Sequence, residues 1–291
     1  MKNIVLITFL FLLVSACDIK NVSSDKPVIS VSILPQQYFI EQLAGELAEI
    51  NVMIPPGASP ATYEPSVSQL GKLDRSEVYM RIGSVGFEQS WMNKISSVNP
   101  EMKIVDLSEG VEFILEDSGE VENQHEHAHH GNDPHIWMSI INAEIIARNI
   151  HTELLLLFPD KKEYLVARHD QFSLSLDSLH LVISSRLAKL ENRKFMIYHP
   201  ALTYYARDYE LKQYPLEIEG KTPSPAHLRE MIDLAITNHI SSIFIQSQFD
   251  RRNAEVLAAE TGSEIISFDP LSLKWDEQMG YIAEQLNPPK E

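Results

Sequence analysis

Hydrophobic positions change their period along this chain. Short β-rich runs at residues 28–33, 50–54, 78–82 and 103–107 predict four strands. Between them apolar residues recur at helical spacing. In 37–47, Phe39, Leu43 and Leu47 share one face, and 66–76 and 87–98 read the same way. Residues 141–158 form a further helix, ended by Phe158-Pro159. Asp160 is a candidate cap for a longer one reaching about Leu190, with Leu165, Phe172, Leu176, Leu179, Ile183, Leu187 and Leu190 in one stripe. At 1.5 Å per residue that helix would be about 45 Å long, more than one lobe needs. The first pattern then returns. Strands are predicted at 195–198, 212–216, 242–246 and 264–268, and helices at 202–209, 225–238, 253–261 and 275–286.

Alternating strands and helices predict an α/β protein with parallel sheets. The expected architecture is two lobes, each a four-stranded parallel sheet flanked by helices, joined by one long spine helix. The N-terminal lobe takes residues 28–158 and includes a His-rich loop at 123–132. The linking helix takes 159–190 and the C-terminal lobe 191–291. A length of 291 residues suits two lobes, and 44% hydrophobic content is enough to fill both cores.

The start of the chain reads as a targeting segment. Met1-Lys2-Asn3 carries one positive charge, and 4–14 is an apolar run too short to remain as a membrane span. Val14-Ser15-Ala16-Cys17 resembles a bacterial lipobox. The expectation is a signal peptide of residues 1–16, cleaved before Cys17, with lipid on its sulfur and on the new amino terminus. A plain secretory signal is the alternative. Cys17 is the only cysteine, so no disulfide can form within the chain. Acyl chains would anchor it stably, at about 0.8 kcal/mol per buried methylene. Residues 17–27 are then a lipidated tether, polar and Ser-rich over 21–26. Loss of residues 1–16 removes Lys2 and no acid, taking the net charge from −17 to −18. Such an acidic chain is a poor nucleic-acid binder.

Candidate chemistry concentrates in residues 123–139, which hold five of the eleven histidines. Neutral imidazole is the commonest ligand for borderline metals such as zinc. His125, His127, His129 and His130 stand among Glu, Asn and Gly, a solvated setting in which weak metal binding or none is the plain reading. His135 follows Asp133-Pro134 and precedes apolar Ile136-Trp137-Met138, as a residue held at the edge of a packed region does. Ligands of open parallel sheets bind beyond the carboxyl ends of strands. There the fifth predicted strand runs into His199-Pro200 and the eighth into Asp269-Pro270, while His135 lies in the loop after the fourth. Each has a bland explanation alone, a core hydrogen bond or a loop cap. Together they suggest a metal site between lobes, where ligands commonly bind.

Asp133-Pro134-His135-Ile136-Trp137-Met138 is similar to the Asp-Pro-His-x-Trp signature of the zinc and manganese solute-binding proteins of bacterial ABC importers. Five further stretches agree in order: 56–60, 62–66, His199-Pro200-Ala201-Leu202, Glu219-Gly220-Lys221-x-Pro223-Ser224 and Phe268-Asp269-Pro270-Leu271. The resemblance implies a divalent metal bound between two lobes by His135, His199 and Asp269 and presented to a membrane permease and its ATPase. A His-rich loop before the signature is typical of the zinc-handling members. Where the family has a ligand histidine, this chain has Ala61, so water, a loop histidine or Glu64 would complete the set; Glu64 is also a candidate helix cap. Two imidazoles and a carboxylate suit zinc, and also ferrous iron. A histidine at 199, where manganese members usually carry Glu, favours zinc over manganese.

The expected protein is therefore no enzyme but a monomeric, extracytoplasmic, membrane-anchored importer component for zinc. His125-Glu126-x-x-His129 spells the His-Glu-x-x-His string, but within a solvated His/acid tract and not on a predicted helix, and no general base is clearly placed beside the metal ligands. The rivals are a surface adhesion or metal-buffering lipoprotein with a degenerate cleft, and a manganese- or iron-binding paralogue. Tyr204, Tyr205 and Tyr209 are expected to pack beside His199, and Trp137 to support His135.

Overall fold

The computed structural model describes residues 26–115, 131–218 and 220–288. Cys17, His125, His127, His129 and His130 lie outside them. Four strands, β1 (Val28–Val31), β2 (Glu49–Val52), β3 (Ser76–Arg81) and β4 (Lys103–Asp106), form a parallel sheet in the order β2-β1-β3-β4. A second sheet repeats that order as β6-β5-β7-β8, from β5 (Lys194–Ile197), β6 (Lys212–Pro215), β7 (Ser242–Gln246) and β8 (Glu264–Phe268). β1 and β7 are buried at every residue, as strands covered on both faces by helices must be.

The helices are α1 (Leu34–Ala44), α2 (Val67–Leu73), α3 (Gly86–Val98), α4 (Ile140–Leu157), α5 (Lys162–Leu187), α6 (Thr203–Asp208), α7 (Pro225–Thr237), α8 (Arg252–Thr261) and α9 (Trp275–Leu286). Their starts are written locally. Ser66 and Gln69 form a reciprocal capping box on α2, Ser139 Oγ accepts the Asn142 N–H on α4, and Ser224 with Pro225 opens α7. Neither acid proposed as a cap acts as one. Glu64 is exposed, two residues before the true cap. Asp160 falls inside a 3-10 turn, Pro159–Lys161, because proline bends the chain there before α5 begins. α5 therefore has 26 residues, about 39 Å at 1.5 Å each, and packs on α1, α4 and α9.

One buried hydrophobic cluster runs through both halves of the molecule. Trp275, the first residue of α9, is 1% exposed and meets the ring of Phe39 on α1 edge-on at 4.9 Å. Its indole N–H donates to the Trp137 carbonyl at 2.8 Å, while the Trp137 indole donates to the Pro270 carbonyl at 2.7 Å. The loop carrying His135 is thus bonded to the loop carrying Asp269. Tyr204 and Tyr205 are wholly buried, and Tyr204 donates its hydroxyl to the Asp133 carbonyl and accepts the Ile114 N–H.

Beyond the carboxyl ends of the central strands β1 and β3, Glu88 in the first turn of α3 is wholly buried. Its carboxyl accepts the Ile82 N–H at 2.7 Å, the Gly83 N–H at 2.9 Å and the Ser32 hydroxyl, with Arg81 Nε 3.5 Å away. Burial outweighs these partners and pushes the carboxyl from 4.5 up to about 7. Between those values the folded chain holds a proton that the unfolded chain has lost, so this group's contribution to stability falls as pH rises. Glu88→Gln, uncharged throughout, is expected to remove that part of the slope. The change in unfolding free energy between about pH 4.5 and 7.5, measured by guanidinium denaturation, should shrink by about 2–4 kcal/mol. An unaltered slope would mean that Glu88 stays ionised.

Candidate metal centre

His135 is set by its own tripeptide. The Asp133 carboxylate accepts the His135 backbone N–H at 2.8 Å and lies 3.0 Å from Nδ1 of the same residue. Pro134 fixes the turn between them, and its carbonyl accepts the Ile136 N–H at 2.9 Å. Trp137 follows with its ring centroid 5.3 Å from the imidazole. Burial alone would raise the Asp133 carboxyl. The charge and hydrogen bonds of His135, with a bond from Thr203, outweigh it and hold the group below its usual range. In the neutral ring an ionised Asp133 keeps the one proton on Nδ1, which turns Nε2 into the acceptor that faces the site.

His199 is set by the second sheet. Pairing of β5 with β6 runs on past both strands, Leu216 N–H to the Ile197 carbonyl at 2.8 Å and Glu217 N–H to the Tyr198 carbonyl at 3.1 Å. That register lays Glu217 beside His199, whose Nδ1 donates to the Glu217 carboxylate. β5 and β7 flank the point where this sheet's strand order reverses, the usual ligand position in such sheets. Gln246, the last residue of β7, bonds the His199 carbonyl through Nε2 at 2.9 Å.

The two imidazoles converge. Their Nε2 atoms lie 3.3 Å apart and their rings cross at 72°. The supporting carboxylates are each 5% exposed, against 12% for the His135 side chain and 32% for His199. Both rings are therefore gripped from behind by a buried acid and aimed at one point.

The other candidates stand apart. Asp269 directly follows β8 and is partly exposed; its Oδ1 accepts the Leu271 N–H at 2.9 Å and its backbone N–H donates to Gln278. It does not join the histidines in this conformation: among the described residues no three His, Cys, Asp or Glu side chains come together closely enough to hold a metal ion. Ala61 is exposed in the loop after β2, where a Cβ added to Gly86 would lie 3.4 Å from its Cα. Residues 116–130 lie outside the described residues; the segments on either side of them are joined, Leu115 bridged to Asn132 and the Asp133 N–H bonded to the Ile114 carbonyl at 2.8 Å. Glu217 was missed from sequence. Leu216-Glu217-Ile218 reads as an ordinary strand end, and only the β5–β6 register reveals its partner.

Comparison with known proteins follows the same lines. The chain is 26% identical over 284 residues to the zinc-binding lipoprotein AdcA of Streptococcus pneumoniae (strain ATCC BAA-255 / R6), covering 94% of this chain and 56% of that protein. It thus spans little more than half of that relative. Against the high-affinity zinc uptake system protein ZnuA of Bacillus subtilis (strain 168) it is 25% identical, covering 94% of this chain and 90% of the other. A crystal structure of a ZnuA superposes with a TM-score of 0.82 at 36% identity, over 90% of this chain and 98% of that one. A zinc-bound deletion mutant of ZnuA fits with the same score and identity, over 92% and 100%. Laminin-binding protein of Streptococcus agalactiae, a metal transporter and adhesin, shares the fold at a TM-score of 0.75 and 19% identity, over 89% and 99%. Residues 29–285 match the family model described as zinc-uptake complex component A, periplasmic, and the chain belongs to that family.

Proposed function

We propose that this protein is the extracytoplasmic solute-binding component of an ABC importer, which captures zinc between its lobes and delivers it to a membrane permease driven by its ATPase. The observation that carries this reading is the pair of Nε2 atoms 3.3 Å apart, each backed by a buried carboxylate. Two nitrogens bound to one tetrahedral zinc at about 2.0–2.1 Å are separated by about 3.3–3.4 Å. Ring orientation and tautomer are thus set before the metal arrives. The names of the zinc-handling relatives support the same cargo. Asp269 supplies the third ligand through Oδ2, its Oδ1 being bonded to Leu271. Water takes the position that Ala61 cannot fill. Zinc, rather than manganese or iron, is the cargo of two imidazoles and one carboxylate in a four-coordinate site. Cys17 carries the lipid that holds the chain, as a monomer, outside the cytoplasmic membrane.

Residues 18–291 contain every described residue, so they suit a soluble test. Calorimetric titration with zinc is expected to give one tight site that His135→Ala/His199→Ala abolishes. Weak binding that survives the double substitution would remove the cleft from the mechanism. Glu217→Gln is expected to lower zinc affinity about 10- to 100-fold while leaving the fold intact, because the His199 tautomer and ring orientation are then no longer fixed. Ala61→His restores a fourth protein ligand and is expected to raise affinity by about tenfold or more, some 1.4 kcal/mol. An unchanged constant would mean that the loop after β2 does not face the metal.

A further inference from the structure

Phe249 lies in the loop between β7 and α8. It is partly buried, and its ring stacks on His199, centroids 5.6 Å apart and planes 30° apart. The same ring lies 4.9 Å from Tyr198 at 31°, so it covers two successive side chains of the β5 exit. Its position is not a loose loop accident. The Phe249 N–H bonds the Gln246 carbonyl at 3.2 Å, and the buried Gln246 side chain bonds the His199 carbonyl at 2.9 Å. Backbone and ring of His199 are thereby held from one short segment, Gln246 below and Phe249 alongside. His199 needs this more than His135 does, since its side chain is 32% exposed against 12%. His135 is fixed by a local turn and by Trp137, whereas the acid that grips His199 comes from another strand and constrains only Nδ1. A single hydrogen bond through Nδ1 leaves the ring free to rock about that bond, and a flat aromatic face removes this freedom.

We infer that Phe249 is a positioning residue for the cargo metal: stacked on His199, it keeps the plane of that imidazole directed at the metal and shields one face of it from water, so that it governs metal release more than capture. The inference rests on the zinc-binding reading above. Water must reach the metal–nitrogen bond for the ligand to be replaced, and an imidazole free to rock opens that path. Association is expected to change less, because variants of one binding site differ chiefly in their dissociation rates.

The test is stopped-flow release of zinc to excess chelator from residues 18–291, with the visible spectrum of the cobalt(II)-loaded protein as a second readout. Phe249→Leu keeps apolar volume but loses the flat face, Phe249→Ala removes both, and Phe249→Tyr keeps the ring. Leu and Ala are expected to speed release about tenfold or more with association little changed, and to weaken the cobalt d–d bands as an extra water joins the metal. Tyr should match the native rate and spectrum. Native release and an unaltered spectrum in the Leu variant would overturn the inference, even if the Ala variant proved unstable. Failure of the native protein itself to bind cobalt or zinc through His135 and His199 would instead remove the reading beneath it.

Discussion

Two indole N–H bonds hold the candidate site in register. Trp137 donates across to the Pro270 carbonyl, and Trp275 donates back to the Trp137 carbonyl. Both rings are about 1% exposed. A typical buried hydrogen bond adds only about 1 kcal/mol, but breaking one strands a dry polar group at a cost of about 1–3 kcal/mol. The pair therefore acts less as glue than as a constraint on position. It ties the segment after residue 132 to the end of β8 and to the start of α9, and each tie lies within two residues of a candidate ligand or its loop.

On that frame sits an arrangement that is uncomfortable without a cation. Asp133 and Glu217 each hold Nδ1 of one histidine, so the two Nε2 atoms face one another at 3.3 Å with room between them for one proton or one cation. Water could solvate each if the rings turned away, yet the buried acids and the neighbouring aromatic rings oppose turning. A metal bound as proposed would take both nitrogens without moving either ring. The ordering of these two rings is completed during folding, whereas Asp269 stands apart and is the proposed ligand that has to move.

Much of this was legible in the sequence, for reasons that differ between parts. The central strands β1 and β7 declare themselves because strands buried on both faces are near-continuous apolar runs, while the outer ones, such as β6, are more exposed and are read from their β-rich composition and spacing. His135 stood out because Asp-Pro before it and Ile-Trp after it describe a rigid polar-to-apolar boundary; His199 and Asp269 did so by ending strands. Glu217 was invisible because its role arises from strand register across eighteen residues, and no local pattern carries register. The caps were misjudged where two rules competed: proline at 159 converts the turn holding Asp160 into a 3-10 helix, and Ser66, not Glu64, has the short side chain that can fold back onto its own helix. Asp269 follows its strand as expected, but sequence position does not say where a loop carboxylate points.

The contact between Trp275 and Phe39 has a consequence for how the chain comes into being. The first helix of the N-terminal half is sealed by the opening residue of the last helix in the molecule. Loop closure over most of the polypeptide must precede that contact, which places it late in folding. Until it forms, the side of Phe39 that faces Trp275 stays open, so the two halves complete one core together.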